Sequence, residues 1–249
     1  MNVLVCVSRV PDTAARVKVG EDGKNIDENG VKFIVNPYDE FALETGIRLK
    51  ESAGANVTAL VVGPDTAQDV LRTAYAMGVD KAILVKNDNG NSDSYSVAED
   101  IAAVAKELNS DLVIMGRQSI DYDSFSKSSM VGAMLDKPSI SVVSKLEIND
   151  GKVLAERDIE GGKETIESSL PCVISVQKGI YDPRYPKLPD IMKAKKKPID
   201  IKESVNSGVK TEVLSMGIPQ TSRVGKIVGD SESEINEIID ALHKDAKVI

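Results

Sequence analysis

The chain has 249 residues, with 31 Lys and Arg against 39 Asp and Glu, a formal net charge of −8. This acidic balance gives no overall electrostatic reason to bind nucleic acid or an anionic membrane surface. Hydrophobic residues make up 41% of the chain, but aromatic residues only 4% and Trp is absent, so we expect a core of Val, Ile, Leu and Ala. The length suits one large α/β domain or two small ones.

The N-terminal residues and the two cysteines bear on cellular location. Residues 1–7 have neither a basic segment nor a cleavage site and are not typical of a signal peptide. No apolar run reaches the roughly 18 residues that span a bilayer, so we expect a cytoplasmic protein without membrane insertion. Cys6 and Cys172 each lie in a β-branched apolar stretch. This context predicts two buried thiols rather than a disulfide or redox pair.

Strand and helix patterns alternate over the first 140 residues. Short runs rich in Val, Ile and Leu predict strands at 3–7, 55–62, 81–85, 111–116 and 139–143. Their nearly continuous apolar character is typical of parallel strands buried on both faces. Amphipathic patterns between them predict helices at 36–52, 66–77, 94–108 and 129–135. The alternation predicts an α/β fold with a doubly wound parallel sheet.

After residue 140 the pattern becomes antiparallel. Residues 142–148, 152–159 and 163–167 are predicted strands, and Asp150-Gly151 between the first two is typical of a hairpin turn. Residues 172–177 predict a further core strand. From Gly179 onward several prolines indicate an extended arm, which ends in an amphipathic helix at 231–244. We therefore predict an α/β domain at 1–180 and a C-terminal arm with its helix at 181–249.

The loops that follow the predicted parallel strands are the candidate ligand sites, because such sheets bind ligands outside the carboxyl ends of their strands. The loop at 116–129 is the richest of them. It ends in Ser126-Lys127-Ser128-Ser129, at the start of a predicted helix. Hydroxyl groups, an ammonium group and a helix N-terminus together suit a phosphate group. Capping of the helix by these serines is the alternative.

Other chemical patterns are weak. The sequence has neither the P-loop pattern nor the G-x-G-x-x-G pattern. Asp121 and Asp123 are spaced for a hard cation, but turn chemistry accounts for the pair better. The only histidine, His243, lies near the end of the last predicted helix, where a cation favours the helix dipole. No catalytic triad or metal-ligand spacing can be assembled, which disfavours hydrolase and metalloenzyme functions.

Four segments carry a resemblance to a known family. They read VLVCVSRVPD at 3–12, NPYDEFALE at 36–44, GRQSID at 116–121, and a long stretch at 156–198 that begins ERDIEGGKETI and ends PRYPKLPDIMKAKKKP. In this order they resemble the β-subunit of electron-transfer flavoproteins, and the last segment is the most specific. The resemblance extends from one end of the chain to the other.

The resemblance implies an αβ heterodimer in which the α-subunit holds most of the FAD site. The β-subunit of this family binds an adenine nucleotide, AMP in the common type and a second FAD in electron-bifurcating members. Asn36 is expected to bind the nucleotide through its amide while it caps its helix. Residues 119–123 would hold the adenosine and 126–129 the phosphate. The cofactor-binding residues implied for this chain are Cys6, Asn36, Pro37, Tyr38, Asp39, Val62, Gly116, Ser119, Asp121, Tyr122, Asp123, Ser126, Lys127, Ser128 and Ser129.

The resemblance also implies a docking arm at 185–197 for acyl-CoA dehydrogenase-like flavoenzymes. Leu188 would be its apolar anchor, with Pro189, Ile191 and Met192 beside it, and residues 181–249 would contact the partner and the α-subunit. A solvated lysine run is the alternative for the charges near 195. The implied function is that of an electron carrier in fatty acid β-oxidation rather than an enzyme.

One departure from the family pattern bears on the cofactor. The family usually has Gln followed by Thr-Gly at the phosphate end, or Gln-Val-Gly-Pro in bifurcating members, where this chain has Ser126-Lys127-Ser128-Ser129. The missing glycine removes backbone freedom. Lys127 could neutralise a terminal phosphate, which favours AMP, and a weak or lost nucleotide site is the alternative.

Two other functions remain open from the sequence. One is a bifurcating component that oxidises NADH at a FAD held in this subunit. The other is a free-standing nucleotide-binding module, which needs neither the antiparallel strands nor the Pro-rich arm.

Overall fold

The computed structural model describes residues 1–87, 92–219 and 225–249. Contacts group them into two compact units, Met1–Ser215 and Met216–Ile249. The sequence predicted a division between residues 180 and 181. Residues 181–215 belong to the first unit because a helix and a strand within them pack against its helices and its sheet.

The first unit begins with an alternation of strands and helices. The elements are β1 Asn2–Cys6, β2 Arg9–Pro11, β3 Phe33–Val35, α1 Pro37–Ala53, β4 Asn56–Gly63, α2 Gln68–Met77, β5 Lys81–Lys86, α3 Ser94–Glu107, β6 Leu112–Gly116 and α4 Lys127–Leu135. They continue with β7 Ser139–Asn149, β8 Lys152–Ile159, β9 Gly162–Ser169, β10 Cys172–Val176, α5 Leu188–Ala194 and β11 Asp200–Glu203. A 3₁₀ turn, Asp65–Ala67, precedes α2.

The main sheet has the strand order β11-β5-β4-β1-β6-β10-β7-β8-β9. Its strands are parallel from β11 to β7, and β8 and β9 add antiparallel pairs. The predicted α/β fold with a parallel sheet and an antiparallel extension is therefore confirmed. The chain leaves β1 toward β4 and β5, and then returns to the other side of β1 as β6. The carboxyl ends of β1 and β6 therefore flank the switch point, where such sheets bind ligands.

Both faces of the sheet are covered. Val3 and Val5 of β1 point into one buried cluster with residues of α1 and α2, whereas Leu4 and Cys6 point into another with residues of α3 and α4. This alternation follows from the two-residue period of a strand, and it explains why each strand reads as a continuous apolar run. Cys6 and Cys172 are buried free thiols, as predicted. Burial raises the pKa of Cys172 to about 11.

Several predicted boundaries were wrong. The two strands predicted at 139–143 and 142–148 are one strand, β7, with a bulge where it passes from β10 to β8. The predicted arm is not wholly extended, because it contains α5 and β11. Pro189 lies in the first turn of α5, where its missing N–H costs nothing. The antiparallel pair of β2 and β3 was not predicted.

The second unit contains α6, Glu232–Asp240, and a π-helical segment, Ala241–Asp245. The amphipathic helix predicted at 231–244 is therefore confirmed, with residues 241–245 in the π-helical form. Four apolar side chains remain between 38% and 48% exposed, namely Ile235, Ile238, Ile239 and Leu242. Among the helices of the described residues, none combines the length and apolar character that crossing a membrane requires.

Candidate functional site

Asp39 joins the ends of β1 and β6 across the switch point. Its Oδ2 accepts a hydrogen bond from the Ser8 backbone N–H at 2.7 Å, and its Oδ1 accepts one from the Gly116 N–H at 2.9 Å. The side chain lies in the first turn of α1 and is buried. Burial raises the pKa of Asp39 to about 6, although Lys127 and the hydrogen-bond donors favour the charged form. The carboxyl group thus fixes the spacing of the two strand ends.

Gly116 is required for this close approach of α1 to β6. A Cβ atom at this position would lie 2.5 Å from Asp39 Oδ1 and 2.6 Å from the backbone carbon of Tyr38. Backbone atoms cannot move aside as a flexible side chain can, so a larger residue is excluded sterically. The glycine therefore lets the first turn of α1 form one wall of the switch point.

Asn36 holds the loop that follows β6. Its Nδ2 donates to Gln118 O at 2.8 Å, and its Oδ1 accepts from the Ile120 N–H at 3.2 Å. Asn36 occupies the predicted N-cap position of α1, with Pro37 as the first helical residue, but its side chain makes no capping hydrogen bond. The amide is instead committed to the loop, because the buried Asn36 side chain reaches the loop backbone from the start of α1.

Lys127 brings a positive charge to the end of β1. It is the first residue of α4, and its Nζ lies 3.4 Å from Ser8 Oγ. Its charge also acts on the carboxyl group of Asp39. Ser126 occupies the N-cap position without a side-chain capping bond, so the contacts do not support the capping alternative for this residue. An ammonium group and a helix start thus meet beside the switch point.

Arg117 extends the loop side of the site. Its guanidinium carbon lies 4.9 Å from the ring centroids of both Tyr38 and Phe125, and its Nη2 donates to Tyr38 Oη at 3.2 Å. The neighbouring Gln118 donates to the carboxylate of Asp123. These contacts within the chain are sufficient to give the loop a defined conformation.

The aspartates of the loop follow turn chemistry, as predicted. Asp121 Oδ1 accepts from the Tyr122 N–H at 2.9 Å, and Ser119 O accepts from the Asp123 N–H at 2.9 Å. Asp123 has a positive φ of 50°, which Asp tolerates better than most residues. The described residues contain no group of three or more His, Cys, Asp and Glu side chains that could hold a metal ion.

Three buried polar atoms of this region have no hydrogen-bond partner among the described residues. They are Arg117 Nε, Gln118 Oε1 and Ser128 Oγ, a donor, an acceptor and a hydroxyl group that can do both. Unpaired buried polar groups are costly and therefore uncommon. An adenine nucleotide carries both donors and acceptors, so the chemistry of these groups is compatible with one.

The structure brings most of the predicted cofactor-binding residues to one edge of the sheet. Cys6, Val62 and Gly116 lie at the carboxyl ends of the adjacent strands β1, β4 and β6, beside Asn36 and the first turn of α1 with Pro37, Tyr38 and Asp39. Buried loop residues are Ser119 and Ser128, whereas Asp121, Tyr122, Asp123 and Ser129 are exposed. Sequence reasoning missed Ser8, Arg117, Gln118 and Phe125. Each directly follows a predicted strand or lies within the loop already singled out, and this position was the available signal.

Two shallow cavities lie away from this edge. One, of about 360 Å³, is lined by Ser110, Asp111 and Pro171, at the amino ends of β6 and β10. The other, of about 320 Å³, lies between α3 and β11. Neither contains a residue of the predicted nucleotide site, and the chemistry at the switch point is the stronger guide to a ligand.

The predicted docking residues lie together on α5. Leu188 is 73% exposed and Met192 is 55% exposed, one turn apart on the same face, and Pro189 and Ile191 are exposed beside them. The end of α5 is held by α2, where Arg72 Nη1 donates to Ala194 O at 2.9 Å. The carboxyl end of α5 is therefore held against α2, while the apolar side chains of Leu188 and Met192 remain exposed to solvent.

Comparison with known proteins identifies the family to which this chain belongs. Residues 24–205 match the family model described as the electron transfer flavoprotein domain. The chain is 38% identical to the electron transfer flavoprotein subunit beta of Bacillus subtilis (strain 168), with all of both chains covered. It is 38% identical to the mitochondrial subunit beta of Oryza sativa subsp. japonica, again over all of both chains, and 35% identical to the Mus musculus subunit beta over 96% of each. The chain therefore belongs to the electron transfer flavoprotein β-subunit family.

Proposed function

We propose that this chain is the β-subunit of a heterodimeric electron-transfer flavoprotein that passes electrons between acyl-CoA dehydrogenase-type flavoenzymes and a downstream acceptor. The α-subunit would hold most of the FAD site. This chain would bind AMP at the switch point, support the heterodimer and recognise the partner, without turning over a substrate itself. Membership of the family supports the electron-transport role.

The observations that carry the AMP assignment are the unpaired polar atoms of Arg117, Gln118 and Ser128 and the positive charge of Lys127. Arg117 Nε and Gln118 Oε1 offer a donor and an acceptor to a base or ribose, and Ser128 offers a hydroxyl group. The Lys127 ammonium group and the start of α4 suit a terminal phosphate dianion. One ammonium group at one helix start matches a monophosphate better than the two linked phosphates of FAD.

The chain's own side chains support a carrier role rather than redox catalysis by this subunit. Burial raises the pKa of Cys6, with a further contribution from the nearby Asp39 charge, and burial also raises the pKa of Cys172. Both thiols are therefore protonated at neutral pH and poorly nucleophilic. Electrons would pass through flavin held mainly by the α-subunit.

The exposed face of α5 supports partner docking. Leu188 and Met192 form an apolar surface, and the exposed Lys193, Lys195 and Lys196 follow directly in sequence. A complementary partner would present an apolar hollow with an acidic rim. The uncovered apolar side chains of α6 in the second unit likewise suit contact with the α-subunit.

Flavin reduction in the purified heterodimer tests the function. The complex would be mixed anaerobically with an acyl-CoA dehydrogenase and its acyl-CoA substrate while the flavin absorbance is followed. The expected result is that the flavin is bleached only when the dehydrogenase and its acyl-CoA substrate are both present. Bleaching by NADH alone, without the dehydrogenase, would instead assign the chain to the electron-bifurcating class.

A further inference from the structure

Acidic side chains lie along one face of α3 at intervals of seven residues. They belong to Asp93, which caps the amino end of the helix, to Asp100, and to Glu107 at the carboxyl end. Seven residues make about two helical turns, so the three carboxylates form one row, the carboxylate face of α3. Asp100 is only 1% exposed, and a buried carboxylate needs hydrogen-bond donors.

Residues 202–211, which we call the strap, supply those donors. Asp100 accepts hydrogen bonds from Ser204 Oγ at 2.9 Å and from the Val205 N–H at 2.8 Å. Asn206 Nδ2 donates to the same carboxylate at 3.0 Å. The middle of the strap is therefore held by one buried side chain of α3.

Both ends of the strap bind the same face of α3. Lys202 Nζ donates to Glu107 Oε1 at 2.7 Å, at the carboxyl end of the helix. At the amino end, the N–H groups of Lys210 and Thr211 donate to Asp93 Oδ2 at 2.7 Å and 2.9 Å. Burial alone would raise the pKa of Asp93, but hydrogen bonds, chiefly from backbone N–H groups, lower it to about 2. This carboxylate is therefore charged at neutral pH, and the strap runs antiparallel to the helix.

The start of the strap has its polar side chains against α3 and apolar ones in solvent. Positions 202, 204 and 206 all bond to carboxylates, whereas Ile201 and Val205, at the alternate positions, are 50% and 69% exposed. Leu214, just beyond the strap, is 79% exposed. The reverse arrangement is usual where a segment stabilises its own domain. Exposed apolar side chains on a segment held by polar contacts indicate a surface that another protein covers.

The α-subunit of the proposed heterodimer is the partner that this surface fits. The chain continues from the strap into the second unit, where Ile218 is 69% exposed and the apolar side chains of α6 are also uncovered. Apolar exposure thus continues along the chain on both sides of the unit boundary. A segment that follows one large partner is expected to have this pattern.

We infer that the carboxylate face of α3 holds the strap so that Val205 and its exposed apolar neighbours form a contact surface for the α-subunit. Asp100 is then a positioning residue, because it acts on the interface through the strap. The inference rests on the proposed heterodimer, and it extends the proposed contact with the α-subunit from the second unit to the first.

The rate at which the purified heterodimer exchanges its α-subunit for a labelled one tests this inference. Val205→Ser should speed exchange about tenfold, because an apolar contact is lost. Asp100→Asn should do the same, because the amide turns one acceptor of the strap into a donor. Val17→Ser, at a 43% exposed position outside the strap, and Asp111→Asn, whose carboxylate accepts the Asn2 N–H at 2.7 Å, are the controls and should leave the rate unchanged.

A double variant separates positioning from a general weakening of the fold. If Asp100 acts by orienting Val205, the two substitutions together should speed exchange little more than either alone, whereas independent effects would multiply to about a hundredfold. Ser204→Ala removes one donor to Asp100 and is the milder variant if Asp100→Asn does not fold. It should speed exchange about threefold and show the same lack of multiplication with Val205→Ser.

The outcomes separate the inference from the proposed function. An unchanged rate in Val205→Ser would overturn the contact surface, and multiplying effects would overturn the positioning role of Asp100. Equal acceleration by Asp111→Asn would also overturn that role. Self-association of the unaltered chain that Val205→Ser abolishes would assign the surface to a second copy instead. If the unaltered chain bound no α-subunit at all, the inference and the proposed heterodimer would fail together.

Discussion

Arg184 donates two hydrogen bonds to the buried carboxylate of Glu44, from Nε to Oε2 at 2.8 Å and from Nη2 to Oε1 at 3.0 Å. Burial alone would raise the pKa of Glu44, but hydrogen bonds from Arg184 and Arg48 outweigh it and hold the pKa below its ordinary value. Glu44 belongs to α1, whose first turn carries Asp39. One helix therefore both shapes the switch point and anchors the start of the docking arm.

Replacing Arg184 tests this anchor. Arg184→Ala would leave the buried Glu44 carboxylate with Arg48 as its remaining salt-bridge partner. Loss of one partner of a buried pair typically costs about 3–5 kcal/mol. With Arg48 still present we expect a loss of about 2–3 kcal/mol in the free energy of unfolding, measured by chemical denaturation of the complex. Affinity for the acyl-CoA dehydrogenase should fall as well, while nucleotide content stays the same. Lys178→Ala, at an exposed position just before the arm, is the charge-matched control, and equal behaviour of the two variants would contradict the anchor.

The carboxyl group of Asp39 should make stability depend on pH. Its pKa in the folded chain is about 6 against an ordinary value of 3.8, so between these values the folded state binds a proton that the unfolded state has released. The stability that this group contributes is therefore present below about pH 4 and is lost as pH rises through about 6. At about 1.4 kcal/mol for each pH unit, the free energy of unfolding falls by about 3 kcal/mol between about pH 4 and pH 6.

Asp39→Asn isolates this dependence, because the amide does not titrate. The unfolding free energy of the unaltered complex minus that of the variant should fall as pH rises from about 4 to about 6. Other groups cancel in the difference. A difference that stays constant with pH would show that folding does not raise the pKa of Asp39.

A methyl group at position 116 should disrupt the switch point. Gly116→Ala would place Cβ against Asp39 Oδ1 and the Tyr38 backbone, and we expect about 3 kcal/mol of lost stability, at the upper end for overpacking. Thermal unfolding and nucleotide content would measure the effect. Gly162→Ala is the matched control, since a Cβ there meets no atom within 4 Å, and a comparable loss in both would refute the steric explanation.

Lys127 should act on the phosphate and not on the base. Lys127→Met removes the ammonium group near Ser8 Oγ, and AMP affinity should fall about tenfold while adenosine affinity changes little. The salt dependence of AMP binding should also become shallower. Lys137→Met, just beyond the end of α4 at an exposed position, should leave both affinities unchanged. Equal losses for AMP and adenosine would assign Lys127 a structural role instead.

Leu188 should matter for the partner and not for the fold. Its side chain is 73% exposed, so Leu188→Ala should change the free energy of unfolding by no more than about 0.5 kcal/mol. Electron transfer from the dehydrogenase should slow about tenfold or more, as for an apolar residue at the centre of an interface. Leu154→Ala on β8, 43% exposed, provides the control. An unaltered transfer rate in the Leu188 variant would move the docking surface elsewhere.

The parallel sheet was predictable because strands such as β1 and β6 are buried on both faces and read as unbroken apolar runs. β11 was not, since Asp200–Glu203 has three charged residues and one apolar residue, and its pairing with β5 depends on a partner far away in sequence. The three-residue strands β2 and β3 are too short for any period to emerge. Local pattern therefore revealed the buried strands and not the edge elements.

The candidate site shows the same limit. The carboxyl ends of the strands and the loop at 116–129 follow from the predicted topology. The partner of the Asn36 amide does not, because a residue at the start of a helix favours a capping role by local pattern alone, whereas the loop reaches it only in the folded chain. The Phe125 stack likewise depends on a positive φ that no sequence pattern predicts for phenylalanine.

The central claim is that this subunit of the heterodimer binds AMP. We would purify the complex with its α-subunit, denature it, and count the FAD and AMP released per heterodimer. One FAD and one AMP is the predicted result. Two FAD molecules and no AMP would contradict it and place a second flavin at the switch point, and one FAD without AMP would show that this loop does not retain the nucleotide.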